Sequence, residues 1–184
     1  MRLMVISAMS RESSTTHILA KRVVEICSIR GVEVDFATPA DVNVPVNDGT
    51  VPFDLPGAVA WQQRVAETDA YIWISPEYHS APAASLKNLF DYLTKEPMKG
   101  DVVGLCALAG GAMAALNTLN SMTTIARSLG AWVAPDYCAL NSNEVKEGLT
   151  EGSARRLEAM CLEVIDAARR LHATDADPNH LPLQ

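Results

Sequence analysis

The 184-residue sequence predicts an α/β fold, a doubly wound five-stranded parallel sheet with helices on both faces. Five short apolar runs alternate with longer segments in which apolar residues recur at helical spacing. The runs are apolar throughout, as is typical of parallel strands that are buried on both faces. Parallel neighbours also need crossover connections, and the intervening helices supply them.

This alternation assigns most segments of the chain to an element. The predicted strands cover residues 3–7, 32–36, 70–75 and 101–109, and residues 131–134 begin a last strand. The predicted helices cover about 17–30, 57–68, 82–93, 112–128 and 153–171. Gly31 and Gly130 follow two of these helices and end them. Residues 38–56 are rich in Pro, Asn, Asp and Gly and show no helical period, so we expect a long surface connection there.

The length of the chain fits one sizeable hydrophobic core. We therefore expect a single domain over residues 1–171, followed by a flexible C-terminal tail over residues 172–184 in which acidic and proline residues end the helical pattern. At this length a flavodoxin-like five-strand order is favoured over a six-strand dinucleotide-binding fold.

Composition excludes several classes of partner. The net charge is −7 and the 15 Lys and Arg residues are scattered, which argues against a nucleic-acid surface. No window approaches the roughly 18 consecutive apolar residues of a membrane span. The four cysteines stand far apart, with no CxxC pair and no histidine at ligand spacing. We expect buried thiols in a reducing compartment, no metal site and a cytoplasmic protein.

The stretch over residues 71–93, YIWISPEYHSAPAASLKNLFDYL, is the most informative part of the sequence. Its apolar strand is predicted to break at Ser75 and Pro76, because proline lacks an N–H group and cannot continue a central strand. A polar loop of four residues follows, Glu77, Tyr78, His79 and Ser80. Pro82 then suits the first turn of a helix. Loops of this kind form the carboxyl edge of an open α/β sheet, where ligands bind.

The first loop, residues 7–16, also indicates a ligand site. It lacks both GxGxxG and the GK[ST] of a P-loop. It has instead many hydroxyl residues and one arginine directly before a helix N-terminus, which suits a monophosphate. Helix capping alone also selects Ser and Thr. Helix capping does not require an arginine, so the presence of Arg11 favours an anion-binding site.

Three segments carry a family resemblance. The loop ISAMSRESSTT resembles the pattern GSxRxxSxN, with Arg11, Ser14 and Thr16 at its arginine, second serine and asparagine positions. SPEYHSAPAASLKN resembles PEYxxSxxGxLKN, and LAGGAMAALNTLNSMTTIARSLGAWVAP resembles a glycine-rich turn and the helix after it. On these segments the chain resembles, up to about Val145, the NAD(P)H-dependent FMN reductase family of flavodoxin-like proteins, which includes small quinone, azo and chromate reductases.

The resemblance implies a site and an activity. It implies that FMN is bound by ten residues: Ser10, Arg11, Ser14 and Thr16 at the phosphate, Pro76, Glu77, Tyr78 and His79 at the polar edge of the ring, and Gly110 and Gly111 at a close approach. NAD(P)H would then reduce flavin, quinone or a related small acceptor by hydride transfer. His79 is the one possible proton donor. A homodimer or homotetramer is implied, through the helix that begins near Lys87 and Asn88.

The sequence departs from the family pattern at three places. Met9 replaces a serine, Ala84 replaces a glycine, and residues 112–115 lack the second glycine pair of the turn. Each change adds a side chain where a cofactor or a backbone segment passes closely. Two alternatives therefore stay open. One is a flavodoxin-like enzyme that has lost FMN and uses the pocket around Glu77, Tyr78 and His79 for other chemistry, and the other is a non-enzymatic flavin carrier or sensor.

Overall fold

The computed structural model describes residues 1–111 and 115–175. The strands are β1 (Arg2–Ser7), β2 (Glu33–Ala37), β3 (Ala70–Tyr78), β4 (Ala81–Pro82), β5 (Val102–Ala109) and β6 (Trp132–Asn141). The helices are α1 (Thr15–Ile29), α2 (Pro39–Val42), α3 (Pro56–Ala66), α4 (Ala84–Asp91), α5 (Leu116–Ser128), α6 (Ser142–Glu147) and α7 (Glu151–Asp175), with a 3₁₀ turn at Glu96–Met98.

Five strands form one parallel sheet in the order β2-β1-β3-β5-β6. This order confirms the predicted doubly wound, flavodoxin-like fold. The prediction missed β4, a two-residue strand that pairs antiparallel with the end of β3. Because β1, β3 and β5 are neighbours, the loops that follow them lie side by side at the carboxyl edge of the sheet.

Side chains that alternate along the strands build two cores, one on each face of the sheet. Met4 and Ile6 pack on the face covered by α3, α4 and α5. Leu3 and Val5 point the other way, into the core under α1 and α7. The four cysteines, Cys27, Cys106, Cys138 and Cys161, all lie in this second core with no exposed surface. Their predicted burial is confirmed.

The connection over residues 38–56 was expected to contain no helix, but it contains one. Thr38 begins the four-residue helix α2 through a capping box. Its hydroxyl accepts a hydrogen bond from the N–H of Asp41, and the Asp41 carboxylate accepts one from the N–H of Thr38 at 3.0 Å. The helix is too short to leave a period in the sequence, which is why the pattern did not reveal it.

The prediction that Pro76 ends the central strand is wrong, because β3 continues to Tyr78. The Ile74 carbonyl accepts a bond from the N–H of Ala8, so the backbone groups of residue 74 face β1. Two residues later the nitrogen of Pro76 faces the same side, but the pairing with β1 has ended at Ser7. The missing N–H group of proline therefore leaves no acceptor unpaired, while Pro76 still pairs with Leu108 of β5.

Several boundaries also differ. Pro82 lies in β4 and not in the first turn of a helix, since α4 begins at Ala84. The last strand, expected to begin over residues 131–134, starts at Trp132 and runs to Asn141, with a register irregularity after Val103 beyond which its pairing resumes at Tyr137. Helix α7 reaches Asp175, four residues beyond the expected end at Leu171. The rest of the predicted tail, residues 176–184, lies outside the described residues. Among the helices that the structure describes, none is both long and apolar enough to cross a membrane.

Candidate functional site

The loop between β1 and α1 is held in shape by its own polar groups. The hydroxyl of Ser7 donates to the Met9 carbonyl at 2.9 Å and accepts from the Met9 N–H at 3.3 Å. The Nδ1 atom of His17 lies 3.2 Å from the same carbonyl, and the imidazole meets the Phe36 ring edge-on. These contacts turn the polar backbone atoms of Met9 inward. The next part of the loop, residues 11–13, is exposed.

The four predicted phosphate residues are brought together at the start of α1. The hydroxyl of Ser14 accepts from the N–H of His17 and so caps the helix, and Thr16 is buried in the first turn. The hydroxyl of Ser10 accepts from the N–H of Ala40, which leaves its proton free to donate. The Arg11 side chain is exposed and has no ion pair in the described part of the chain. The loop thus combines a free guanidinium, hydroxyl groups and a helix N-terminus.

Met9 does not fill this loop. Its side chain packs against the core formed with α3, α4 and α5. The neighbouring Ala8 carbonyl accepts a hydrogen bond from the hydroxyl of Ser85 at 2.7 Å, which ties the loop to the first turn of α4. Ala84 is exposed at the start of that helix, so its methyl group meets no crowding.

The predicted polar loop is a tight hairpin. Tyr78 pairs with Ala81, so His79 and Ser80 form a two-residue turn with φ values of 51° and 62°. Left-handed values at both positions are the geometry of a type I′ turn, which normally takes Asn or Gly. The turn is therefore strained, and it presents Tyr78, 55% exposed, and His79 to solvent.

Two side chains fix the base of this hairpin. The buried hydroxyl of Ser75 accepts from the N–H of Ala83 at 3.0 Å. The carboxylate of Glu77 accepts from the N–H of Thr118, in the first turn of α5, at 3.1 Å. The Glu77 side chain is thus held against α5, although the resemblance implied a place at the flavin edge for this residue.

Gly110 and Gly111 follow β5 at the third loop. A Cβ atom built on either glycine meets nothing within 4 Å, and neither residue has a left-handed φ. The fold itself therefore does not require glycine at these two positions. Ala115, the last residue of the altered turn, takes a φ of 61° at the start of α5. The other altered positions, Ala112, Met113 and Ala114, lie outside the described residues.

Two residues that shape the site were missed by the sequence analysis, His17 and Ser85. His17 was seen only as a histidine without a ligand pattern, yet it is 7% exposed and contacts the Met9 carbonyl. A histidine in the first turn of α1, directly after the hydroxyl-rich loop, was the available signal. Ser85 could have been noticed as a hydroxyl in the first turn of α4.

The residues present fit FMN. The first loop offers donors suited to a phosphate. Gly110 and Gly111 are exposed on the third loop of the same edge, with no described atom within 4 Å of a Cβ built on either. Within residues 1–111 and 115–175, no cluster of three or more His, Cys, Asp or Glu could hold a metal ion.

The family model that matches residues 1–145 is described as NADPH-dependent FMN reductase. The chain belongs to this family. Membership confirms the resemblance found in the sequence and the prediction of an NAD(P)H-dependent oxidoreductase that uses FMN and NAD(P)H. The matched residues include all three loops just described and end within α6.

Curated relatives agree with this assignment. The NADPH azoreductase of Bacillus sp. (strain OY1-2) is 30% identical over 149 residues, which cover 80% of this chain and 81% of that protein. The NADPH-dependent FMN reductase ArsH of Acidithiobacillus ferrooxidans is 25% identical over 137 residues, covering 72% of this chain and 54% of ArsH.

Solved structures show the same fold at low identity. The flavoenzyme NAD(P)H:(acceptor) oxidoreductase FerB from Paracoccus denitrificans matches with a TM-score of 0.70 and 17% identity, covering 92% of this chain and 97% of FerB. RosB matches with a TM-score of 0.76 and 14% identity, covering 100% and 90% of the two chains.

Proposed function

We propose that this protein reduces a small acceptor, a flavin, a quinone or a related molecule, with electrons from NAD(P)H through FMN bound at the carboxyl edge of the sheet. The observation that carries the proposal is the open space at Gly110 and Gly111. Within residues 1–111 and 115–175, neither a packing contact nor a left-handed φ accounts for these glycines. A flat cofactor passing close to the backbone does account for them.

In this proposal each loop has one task. The guanidinium of Arg11 and the N–H groups at the start of α1 bind the phosphate, and the hydroxyls of Ser10, Ser14 and Thr16 line it. The backbone from Pro76 to His79 lies along the polar edge of the ring. When bound, FMN supplies the hydride-transfer chemistry.

His79 is the side chain proposed to move a proton. It is exposed at the tip of the hairpin, where its imidazole can reach an acceptor that has just been reduced. Its neighbour Tyr78 is also exposed and offers a flat apolar face for an aromatic acceptor. The other residues bind and orient, so no further catalytic group is assigned.

The test is a visible spectrum of the purified protein before and after incubation with FMN and dialysis, followed by anaerobic NADPH. A retained flavin band that bleaches with NADPH supports the proposal. Retained flavin without NADPH oxidation would indicate a carrier or sensor. Absence of both would indicate an enzyme that has lost FMN.

Two variants direct this test at the site. Gly111→Val places a branched side chain in the open space, and we expect it to weaken FMN binding by at least tenfold with little loss of stability. Gly152→Ala is the matched control, since Gly152 also has nothing within 4 Å but lies on α7. Equal FMN binding by both variants would contradict the assigned site.

Arg11→Ala tests the phosphate loop in the same way. Loss of a charge-assisted contact predicts roughly tenfold weaker binding of FMN and a much smaller effect on riboflavin, which has no phosphate. Arg170→Ala removes an exposed arginine of α7 and should change neither affinity.

We also propose a cytoplasmic homodimer or homotetramer assembled through α4. The supporting observations are the exposed Lys87 on that helix and the neighbouring Val46, whose side chain is 75% exposed. Light scattering after gel filtration gives the mass in solution. A monomer at micromolar concentration would contradict the proposal.

A further inference from the structure

Glu77 stands at the end of β3, between two of the three loops of the site. Its carboxylate accepts the N–H of Thr118 at 3.1 Å. Thr118 is the third residue of α5, and its N–H is one of the groups at a helix start that lack an acceptor within the helix. The acceptor therefore comes from a different element, 41 residues away in the sequence.

Helix α5 cannot cap itself. Ala115 occupies the N-cap position with no side-chain oxygen, and its left-handed φ of 61° differs from the extended conformation usual there. The first turn of α5 also contains no acidic residue. Glu77 thus supplies both the missing acceptor and a negative charge at the positive end of the helix dipole.

Burial makes this contact hard to replace. Thr118 has no exposed surface, and its own hydroxyl has no partner among the described residues. Removal of the carboxylate therefore leaves the N–H of a buried residue without its protein acceptor, which is unfavourable.

The start of α4, directly after the hairpin, is tied to the phosphate loop. The hydroxyl of Ser85 donates to the Ala8 carbonyl, and that of Ser75 accepts from the N–H of Ala83 at the base of the hairpin. The hairpin is therefore held to the start of α5 through Glu77, and the helix that follows it is held to the first loop through Ser85. The flavin site proposed above lies among these elements.

We propose that Glu77 is a positioning residue for the flavin site: by capping α5 from the end of β3, its carboxylate holds the start of α5 against the β3–β4 hairpin. The carboxylate acts through the backbone of α5 and does not itself touch the cofactor. This inference rests on the proposed FMN site. It differs from the role that the family resemblance implied for Glu77, which was contact with the ring edge.

The chemistry of the cap predicts how substitutions differ. Glu77→Gln keeps an oxygen that can accept the bond at the same distance. Glu77→Asp keeps the charge but shortens the side chain by one methylene, so the bond cannot form in the same place. Glu77→Ala removes both. Glu33→Ala is the control, because Glu33 is an exposed acid on β2 far from the loops.

The first measurement is FMN affinity by quenching of flavin fluorescence. We expect Kd to rise about tenfold in Glu77→Ala and Glu77→Asp, and to stay within about threefold in Glu77→Gln and Glu33→Ala. Strong binding by Glu77→Asp with weak binding by Glu77→Gln would overturn the inference, because the charge and not the hydrogen bond would then matter.

The second measurement is amide hydrogen exchange on the protein without FMN. In Glu77→Ala and Glu77→Asp the first turn of α5 should lose about tenfold of its protection while the end of α5 keeps its own. Unchanged protection at Thr118 would overturn the inference. If Glu77→Ala does not fold, the comparison of Asp with Gln carries the test.

The two measurements separate this inference from the proposed function. Failure of the unaltered protein to bind FMN would contradict the proposed function alone. Exchange at Thr118 would still report whether Glu77 caps α5.

Discussion

The two ends of the sheet are built on different physical principles. At the amino edge, opposite charges and hydrogen bonds join the elements. At the carboxyl edge, the chain contains one strained turn, a helix whose cap comes from another element, and two exposed glycines.

The amino edge is organised around Asp35 of β2. Its carboxylate accepts two hydrogen bonds from the guanidinium of Arg64 on α3 and one from Arg2 on β1. Arg2 also pairs with Glu67 at 2.9 Å, and its backbone N–H donates to Asp69. These groups join three elements, and the Asp35 side chain is only 13% exposed.

In the described residues of its three loops, the carboxyl edge has no ion pair, and single hydrogen bonds join its elements. His79, Ser80 and Ala115 all have left-handed φ values although none is glycine. Conformations of this kind persist only when the surrounding structure imposes them, and they concentrate at binding sites. Among the described residues, the buried ion pairs therefore lie at the amino edge, and the backbone strain lies at the carboxyl edge.

The largest effect is expected from Asp35→Asn, which leaves two guanidinium groups without their shared carboxylate. We expect the free energy of unfolding at pH 7 to fall by about 2–3 kcal/mol. Urea denaturation measures the change. Asp166→Asn, an exposed acid on α7, is the control and should have little effect.

The same variant predicts a pH dependence. The hydrogen bond from Arg64 holds the pKa of Asp35 below its usual value, and the charges of Arg64 and Arg2 act in the same direction. A carboxyl with a lowered folded pKa stabilises the protein fully above its unfolded pKa of about 3.9, and this contribution is lost as the pH falls through the folded pKa. The difference between the protein and Asp35→Asn should therefore shrink below about pH 4. A difference that grows on acidification would contradict it.

A smaller loss is expected from Tyr71→Phe at the amino edge. The buried hydroxyl of Tyr71 donates to the Val65 carbonyl at 2.8 Å, and burial raises its pKa well above the usual value. Removing one such bond costs about 1 kcal/mol. Thermal unfolding of Tyr71→Phe and of Tyr137→Phe makes the comparison, since Tyr137 is 54% exposed and should be insensitive.

The smallest effect has the opposite sign and lies at the carboxyl edge. Ser80→Gly relieves a left-handed residue in the hairpin, and we expect stability to increase by about 0.5 kcal/mol. Ser28→Gly, the same change on an exposed face of α1, should lower stability by a similar amount. Destabilisation by both substitutions would mean that the hairpin is not strained.

The sheet could be predicted because buried parallel strands are continuous apolar runs. The prediction of a strand's end failed where that end depends on the neighbouring strand. Pro76 is tolerated in β3 because β1 has already ended. The sequence of β3 alone does not show where the adjacent strand ends. Tyr137 re-enters the ladder after an irregularity that only the pairing with β5 reveals.

In the candidate site, too, local contacts could be predicted from the sequence and contacts between distant segments could not. Arg11, Ser14 and Thr16 stand in one loop, so their spacing was enough to bring them together. The contact of Glu77 with Thr118 joins two distant segments, and so does that of Ser85 with Ala8. Hydrogen bonds of this kind follow from the packing of the finished fold and not from a local motif.

Alkylation of the four buried cysteines can be used to measure local unfolding of the protein. Cys106 pairs with Cys138, and Cys161 pairs with Cys27. Each pairing raises the pKa of the first thiol and lowers the pKa of the second. All four thiols are buried beneath α1 and α7, so alkylating reagents do not reach them while those helices stay in place. The rate at which such a reagent modifies the native protein therefore reports how often α1 and α7 separate from the sheet. No cysteine has to be introduced for this measurement.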